Sequence, residues 1–429
     1  MGFPIFEIVL DPEQPVYVAG AAVKGYLRVA TNEEIECRSL KVWIKGKAKV
    51  KWSKGSGKNR RTYTAVEQYF RQESLLWQGR DSGNRFGAGS RNFPFTFILP
   101  SDIPSSFTSP NGSVVYKLKA EADLPLRFDQ STHKMFSVNF MYDLNRDPLA
   151  VRPLMMEKEK TVCCLCCADG PIRLTMQAQR SGYVPGESLV VEGEVMNGSF
   201  STIKYTEIKL VQQITHIARS HTHKVTRTVQ RVYHPQVPTG GKDVWSSVPL
   251  PIPPVPASHL HHCNLIMIDY ALVLVAKLGT CRKAKVLAPV IIGTLPLRGT
   301  YSTFRTSGPT EVGGTALATS IRRSPSPHHP SALSPIPPHG PFAPSAPFHQ
   351  PPQAIPSAPP PVPQHGLYTD PPPPYTASLL PDEYADVPPP SYSSCAFSGG
   401  ARGGDGGGSD ESDDEGGFAP RYFTYPTIA

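Results

Sequence analysis

Two Pro-Pro-x-Tyr tetrads stand 17 residues apart near the end of this 429-residue chain, Pro372-Pro373-Pro374-Tyr375 and Pro389-Pro390-Ser391-Tyr392. A polyproline II helix has three residues per turn, so Pro372 with Tyr375, and Pro389 with Tyr392, project from one face. That face suits the aromatic-lined groove of a WW domain, and little ordering entropy is lost because the backbone is already extended. Composition alone is a poor source of such tetrads. Residues 301–429 hold 27 Pro and 7 Tyr, which gives about 0.3 matches by chance. A Pro-Ser-Ala-Pro tetrad also occurs twice, at Pro344, Ser345, Ala346, Pro347 and at Pro356, Ser357, Ala358, Pro359, against about 0.07 by chance. Both motifs sit in a stretch too rich in proline to fold, which leaves them available.

Three other groupings have chemistry to offer. Lys45, Lys47, Lys49 and Lys51 alternate with apolar residues, and Lys54, Lys58, Arg60 and Arg61 follow in the next loop. This is a candidate contact for anionic lipid or phosphate. The plainer reading is a solvated sheet face that also protects an edge from aggregation. Cys163, Cys164, Cys166 and Cys167 admit three readings: small hydrophobes of a buried strand, an S-acylation site, or zinc ligands, which five consecutive residues cannot easily converge. His216, His221, His223 and His234 lie on or beside one alternating strand and read as an exposed polar hairpin lacking a third metal ligand. His261 and His262, if in a strand, point to opposite faces. No phosphate loop, nucleophile elbow or HExxH motif occurs, so neither an enzyme nor a cofactor or metal site is expected.

Charge divides the chain that must carry these groups. Residues 301–429 hold 5 Lys+Arg and 11 Asp+Glu, whereas the first 300 hold 38 and 24. A basic body of that size points to acidic partners, whether phosphorylated tails, an anionic leaflet or nucleic acid, and charge does not choose among them. The longest apolar run, residues 265–276, is short and carries Asp269, so no membrane span is expected. The N-terminus lacks a secretory pattern, Phe6 spoils a myristoylation signal, and the clustered cysteines do not form a secreted framework. A cytosolic chain is expected.

The body reads as short alternating strands broken by Gly and Pro, at residues 3–10, 17–29, 41–52, 93–99 and 114–122. The pattern then restarts. Tyr17-Val18-Ala19-Gly20 is echoed by Tyr183-Val184-Pro185-Gly186, and the strand around Tyr116 by one around Tyr270. Offsets of 166 and 154 residues describe two copies of one unit, and two such units are two β-sandwiches in an all-β chain.

The segments FEIVLD, YVAGAAVKGYLRV, FPFTFILPSDIPSSF, GPIRLTMQAQRSGYVPGESL, IDYALVLV and PVIIGTLPL resemble the hallmarks of arrestin-domain proteins. Cys-Cys-Leu-Cys-Cys before the second unit and the Pro-Pro-x-Tyr tail narrow the resemblance to the α-arrestins. It implies an arrestin N-terminal sandwich at 1–150, a hinge with the cysteine cluster at 151–167, a C-terminal sandwich at 168–299 and a disordered tail at 300–429. It also implies an adaptor whose body engages membrane receptors or transporters while Tyr375 and Tyr392 recruit WW-domain ubiquitin ligases of the HECT type. Such an adaptor works at the plasma membrane and endosomes, with no nucleic acid partner. The Pro-Ser-Ala-Pro pair is similar to the late-domain peptide bound by ESCRT-I, which would couple recruitment to sorting. The alternative is an arrestin-fold signalling or trafficking scaffold that acts without ubiquitin ligases. Tail signals around Ser324, Ser326 and residues 409–415 read as solvated spacer.

Overall fold

The computed structural model describes residues 2–11, 16–79, 84–125, 127–164, 167–279, 282–300, 387–388, 390–394 and 418–426. The first sandwich holds β1 (Ile5–Asp11), β2 (Val16–Val18), β3 (Ala22–Thr31), β4 (Ile35–Glu36), β5 (Ser39–Lys54), β6 (Arg61–Gln78), β7 (Arg85–Phe86), β8 (Gly89–Ile98), β9 (Phe107–Ser109), β10 (Gly112–Asp123) and β11 (Gln130–Asn139). Its main sheet runs β2-β11-β10-β5-β6, with β9 on β10, and faces a sheet of order β1-β3-β8. The second holds β12 (Leu154–Cys164), β13 (Cys167–Ala178), β14 (Gly182–Tyr183), β15 (Ser188–Asn197), β16 (Tyr205–Ala218), β17 (His221–His234), β18 (Lys242–Pro251), β19 (Ile266–Lys277) and β20 (Lys283–Ile292). There β14-β20-β19-β16-β17 faces β12-β13-β15-β18.

Alternation explains both cores. In β5, Val42, Ile44, Ala48 and Val50 are fully buried and face Val23, Leu27, Phe95 and Phe97 of the other sheet. Side chains of successive strand residues point to opposite faces, so Lys41, Trp43, Lys45, Lys47 and Lys49 occupy the outside. In β19, Ile266, Ile268, Tyr270, Leu272 and Leu274 repeat this inward row.

The internal repeat extends to single hydrogen bonds. The Tyr116 hydroxyl donates to the Pro104 carbonyl at 2.6 Å, and the Tyr270 hydroxyl donates to Pro256 at 2.7 Å. Ser106 Oγ accepts from Val138 N–H and Ser258 Oγ accepts from Ile292 N–H, both at 2.9 Å. The turns after the echoed Tyr-Val pairs use Gly20 at φ 88° and Gly186 at φ 99°, values that favour glycine. In each copy the short strand before the turn pairs in parallel, β2 with β11 and β14 with β20.

The stretch expected as a hinge, 151–167, holds β12, which joins the second sandwich as an edge strand paired along its length with β13. In the tail two short strands are described, β21 (Ser391–Ser394) and β22 (Arg421–Thr424), paired antiparallel.

Candidate functional site

The lysine ladder lies on a central strand. β5 pairs with β10 on one side and β6 on the other, so edge protection is not its role. Along one row of the outer face, Lys117, Lys45 and Arg71 stand opposite one another, and in the next row Lys119, Trp43 and Glu73. Three cations therefore gather on one indole: Lys45 Nζ lies 5.0 Å, Lys119 Nζ 5.6 Å and the Arg71 guanidinium 4.9 Å from the Trp43 ring centroid. A ring face is electrostatically negative, which is why cations settle there. Lys45 is buried to 8% exposure in this way, so the face is less solvated than its composition suggested. Lys41 pairs with Glu73 at 3.5 Å and Lys119 with Glu121 at 3.1 Å. Lys47 and Lys49 are half-buried, while Lys51, Lys54, Lys58, Arg60 and Arg61 are exposed at or beside the tip of the β5–β6 hairpin.

Behind that tip the two sandwiches meet. Trp52 stacks on Tyr63 at 5.5 Å and on His223 at 5.7 Å, and Tyr63 meets His221 at 4.6 Å. His216 is buried and shares a 3.0 Å hydrogen bond with Ser109. His234 stacks on Trp245 at 3.6 Å and bonds Asp243 at 2.9 Å. The exposed-hairpin reading thus holds for His221 and is corrected for His216, whose ring is walled in because β16 is covered by both neighbouring strands and by the first sandwich. His261 and His262 lie in a turn rather than a strand and pack on Phe140. Among the described residues no three His, Cys, Asp or Glu side chains converge as a metal site. Cys163, Cys164 and Cys167 close the β12–β13 hairpin, with Cys164 opposite Cys167, and Cys166 lies outside the described residues.

Of the second Pro-Pro-x-Tyr tetrad, Pro390, Ser391 and Tyr392 are described, and Tyr392 packs on the body. Tyr392 lies opposite Phe423 in the β21–β22 pair, with ring centroids 5.3 Å apart. β22 in turn straddles the seam between the sandwiches. On the first, its Arg421 N–H donates to Ser137 Oγ at 3.1 Å, Asn139 Nδ2 donates to the Arg421 carbonyl at 3.1 Å, and the Tyr422 hydroxyl donates to the Ser106 carbonyl at 3.0 Å. On the second, Tyr425 N–H donates to the Pro185 carbonyl at 2.9 Å and the Tyr425 hydroxyl to the Thr294 carbonyl at 2.8 Å. Phe423 and Tyr425, each 2% exposed, sit in an apolar cluster with Leu144, Ala150, Val184, Ile291 and Leu297, against which Val387 and Tyr392 also pack. Gly186 makes the approach feasible, since a Cβ there would run into the Tyr425 carbonyl. Burial pushes the Tyr392 phenol up to about 12.

Of the remaining tail residues singled out from sequence, Pro390 is buried. Pro372, Pro373, Tyr375, Pro389 and both Pro-Ser-Ala-Pro tetrads lie outside the described residues. Sequence reasoning missed β22, although a signal was present: Tyr422, Phe423 and Tyr425 fall within four residues between Pro420 and Pro426, the densest aromatic group of the tail.

Comparison with known proteins follows the same division. Residues 6–145 match the family described as arrestin (or S-antigen), N-terminal domain, and residues 168–297 match its C-terminal domain. The chain is 28% identical to arrestin domain-containing protein 17 of Caenorhabditis elegans over 306 residues, covering 68% of this chain and 70% of that protein. It is 29% identical to mouse arrestin domain-containing protein 4 over 298 residues, 67% and 71% of the two chains. It is 27% identical to human thioredoxin-interacting protein over 296 residues, 67% and 74%. With two arrestin domains in tandem and relatives of this kind along both, the chain belongs to the α-arrestins, the arrestin-domain-containing proteins.

Proposed function

We propose that this chain is a non-enzymatic adaptor that brings WW-domain ubiquitin ligases of the HECT type to membrane receptors or transporters held by its arrestin domains. Ubiquitination, endocytosis and endosomal sorting of the cargo are the expected outcome. The observation that carries the reading is the pair of Pro-Pro-x-Tyr tetrads on a chain of the arrestin family, whose members serve as adaptors and scaffolds. The working place is the cytoplasmic face of the plasma membrane and endosomes. The basic β5–β6 hairpin tip supports peripheral contact with anionic lipid, because each lysine or arginine near such a surface contributes about 1 kcal/mol. The Pro-Ser-Ala-Pro pair would add ESCRT-I to the same assembly.

Affinity purification of the intact protein beside the Tyr375→Ala, Tyr392→Ala double variant, with partners identified by mass spectrometry, tests the reading. HECT ligases are expected to disappear from the double variant while membrane proteins remain. Ligases absent from both samples, or equally present in both, would overturn it.

A further inference from the structure

We propose that the seam between the two arrestin sandwiches is a built site for an aromatic strand, that the chain's own C-terminus occupies it as β22, and that this occupancy withholds Tyr392 from WW domains until β22 is released. The inference rests on the Pro-Pro-x-Tyr reading above and adds a gate to it.

Several independent features mark the seam as a site rather than a chance contact. Both sandwiches contribute partners, and they are backbone carbonyls or short side chains: Ser106 beside β9 with Ser137 and Asn139 of β11 on one side, Pro185 of the turn after β14 and Thr294 just after β20 on the other. Two phenol hydroxyls are each satisfied by a carbonyl at the bottom of an apolar surface. Buried hydroxyls are costly without such partners. Asn139 is 1% exposed, and its amide donates to the Arg421 carbonyl. A glycine stands where the Tyr425 backbone comes closest.

The consequence for Tyr392 follows from geometry. A WW groove must take the tyrosine ring into its own slot, yet this ring already packs against Phe423 at a tilt and its backbone is partnered by β22. The two contacts exclude each other. Apparent affinity falls by the fraction of molecules in which the motif is free, so a tenfold weakening means about one molecule in ten is open. With β22 in place a tandem-WW ligase is left with the tetrad at Tyr375, and release of β22 restores the second contact and its avidity.

Hydrogen exchange on the full chain reads the contact with no partner present. Amides of residues 391–394 are expected to be protected in the natural protein and to exchange at least about tenfold faster in Phe423→Ala and in a chain ending at Gly417. Equal exchange in all three would overturn the proposal. A single purified WW domain from a HECT ligase reads the consequence, using full-length protein carrying Tyr375→Ala so that only Tyr392 reports. Binding is expected to be about tenfold weaker than to a free peptide of residues 383–396, and to approach the peptide value once Phe423→Ala is added. Equal affinity with and without that change overturns the gate while leaving the ligase reading intact. A free peptide that no HECT WW domain binds overturns the ligase reading, and the gate with it, even where exchange is protected.

Discussion

Ser109 Oγ and His216 Nε2 lie 3.0 Å apart across the seam between the sandwiches, in a hydrogen bond closed to solvent. Burial pushes the His216 imidazole down to about 4, from an ordinary 6.5. His223 acts both ways: its carbonyl, 3.4 Å from Nδ1, favours the charged ring, and its imidazole, with the rings 6.0 Å apart, disfavours it. The folded state therefore binds fewer protons than the unfolded chain between those values. Stability that is full above pH 6.5 is expected to fall as pH drops toward 4, by about 3 kcal/mol at most. Thermal unfolding across this window checks it, and His216→Gln should flatten the slope.

Tyr116→Phe and Tyr270→Phe should each cost about 1–3 kcal/mol, because each leaves a buried proline carbonyl without its donor. The two hydroxyls serve different carbonyls in different sandwiches, so the double variant should show the sum. Denaturant titration measures all three.

Glu187 is 2% exposed, with Arg180 3.1 Å away and Val184 N–H donating to it at 3.0 Å. Burial raises its carboxyl in spite of both. Removing the guanidinium by Arg180→Ala leaves a buried charge uncompensated, which costs about 3 kcal/mol or more at pH 7. The loss should shrink at pH 4, where the carboxyl of the variant takes up a proton. Melting temperatures at the two pH values report the difference.

The tail contains no lysine between residues 301 and 429. Ubiquitin attached to this protein by a ligase tethered at Tyr375 or Tyr392 is therefore expected on the arrestin domains, with exposed Lys51, Lys54 and Lys58 among the acceptors. Mapping of ubiquitin remnants by mass spectrometry checks this.

Replacing Lys54, Lys58, Arg60 and Arg61 together by Glu should abolish sedimentation with anionic vesicles and leave the fold intact, since all four are exposed. Each charge removed is worth about 1 kcal/mol near an anionic surface, and the binding of the natural protein should fall as salt rises.

The sequence by itself determined the two sandwiches, because period-two alternation is a local property and a duplicated unit displays it twice. The echo of Tyr17-Val18 at Tyr183-Val184, and of Tyr116 at Tyr270, proved to reach single hydrogen bonds. It also determined which motifs the tail carries, since a Pro-Pro-x-Tyr tetrad is read over four residues. Tertiary structure decided what depends on distant chain. Lys45 looked like one rung of a solvated ladder, but it settles on Trp43 of its own strand, and β6 and β10 bring Arg71 and Lys119 to the same ring. His216 looked like a member of an exposed hairpin until the first sandwich supplied Ser109, 107 residues away. Tyr392 looked available because its neighbours are prolines, and what covers it is Phe423, 31 residues further on. That strand holds its place through carbonyls of both sandwiches. Each of these hydrogen bonds uses a backbone group, which every residue possesses, on at least one side, and only the folded chain shows which of them are near.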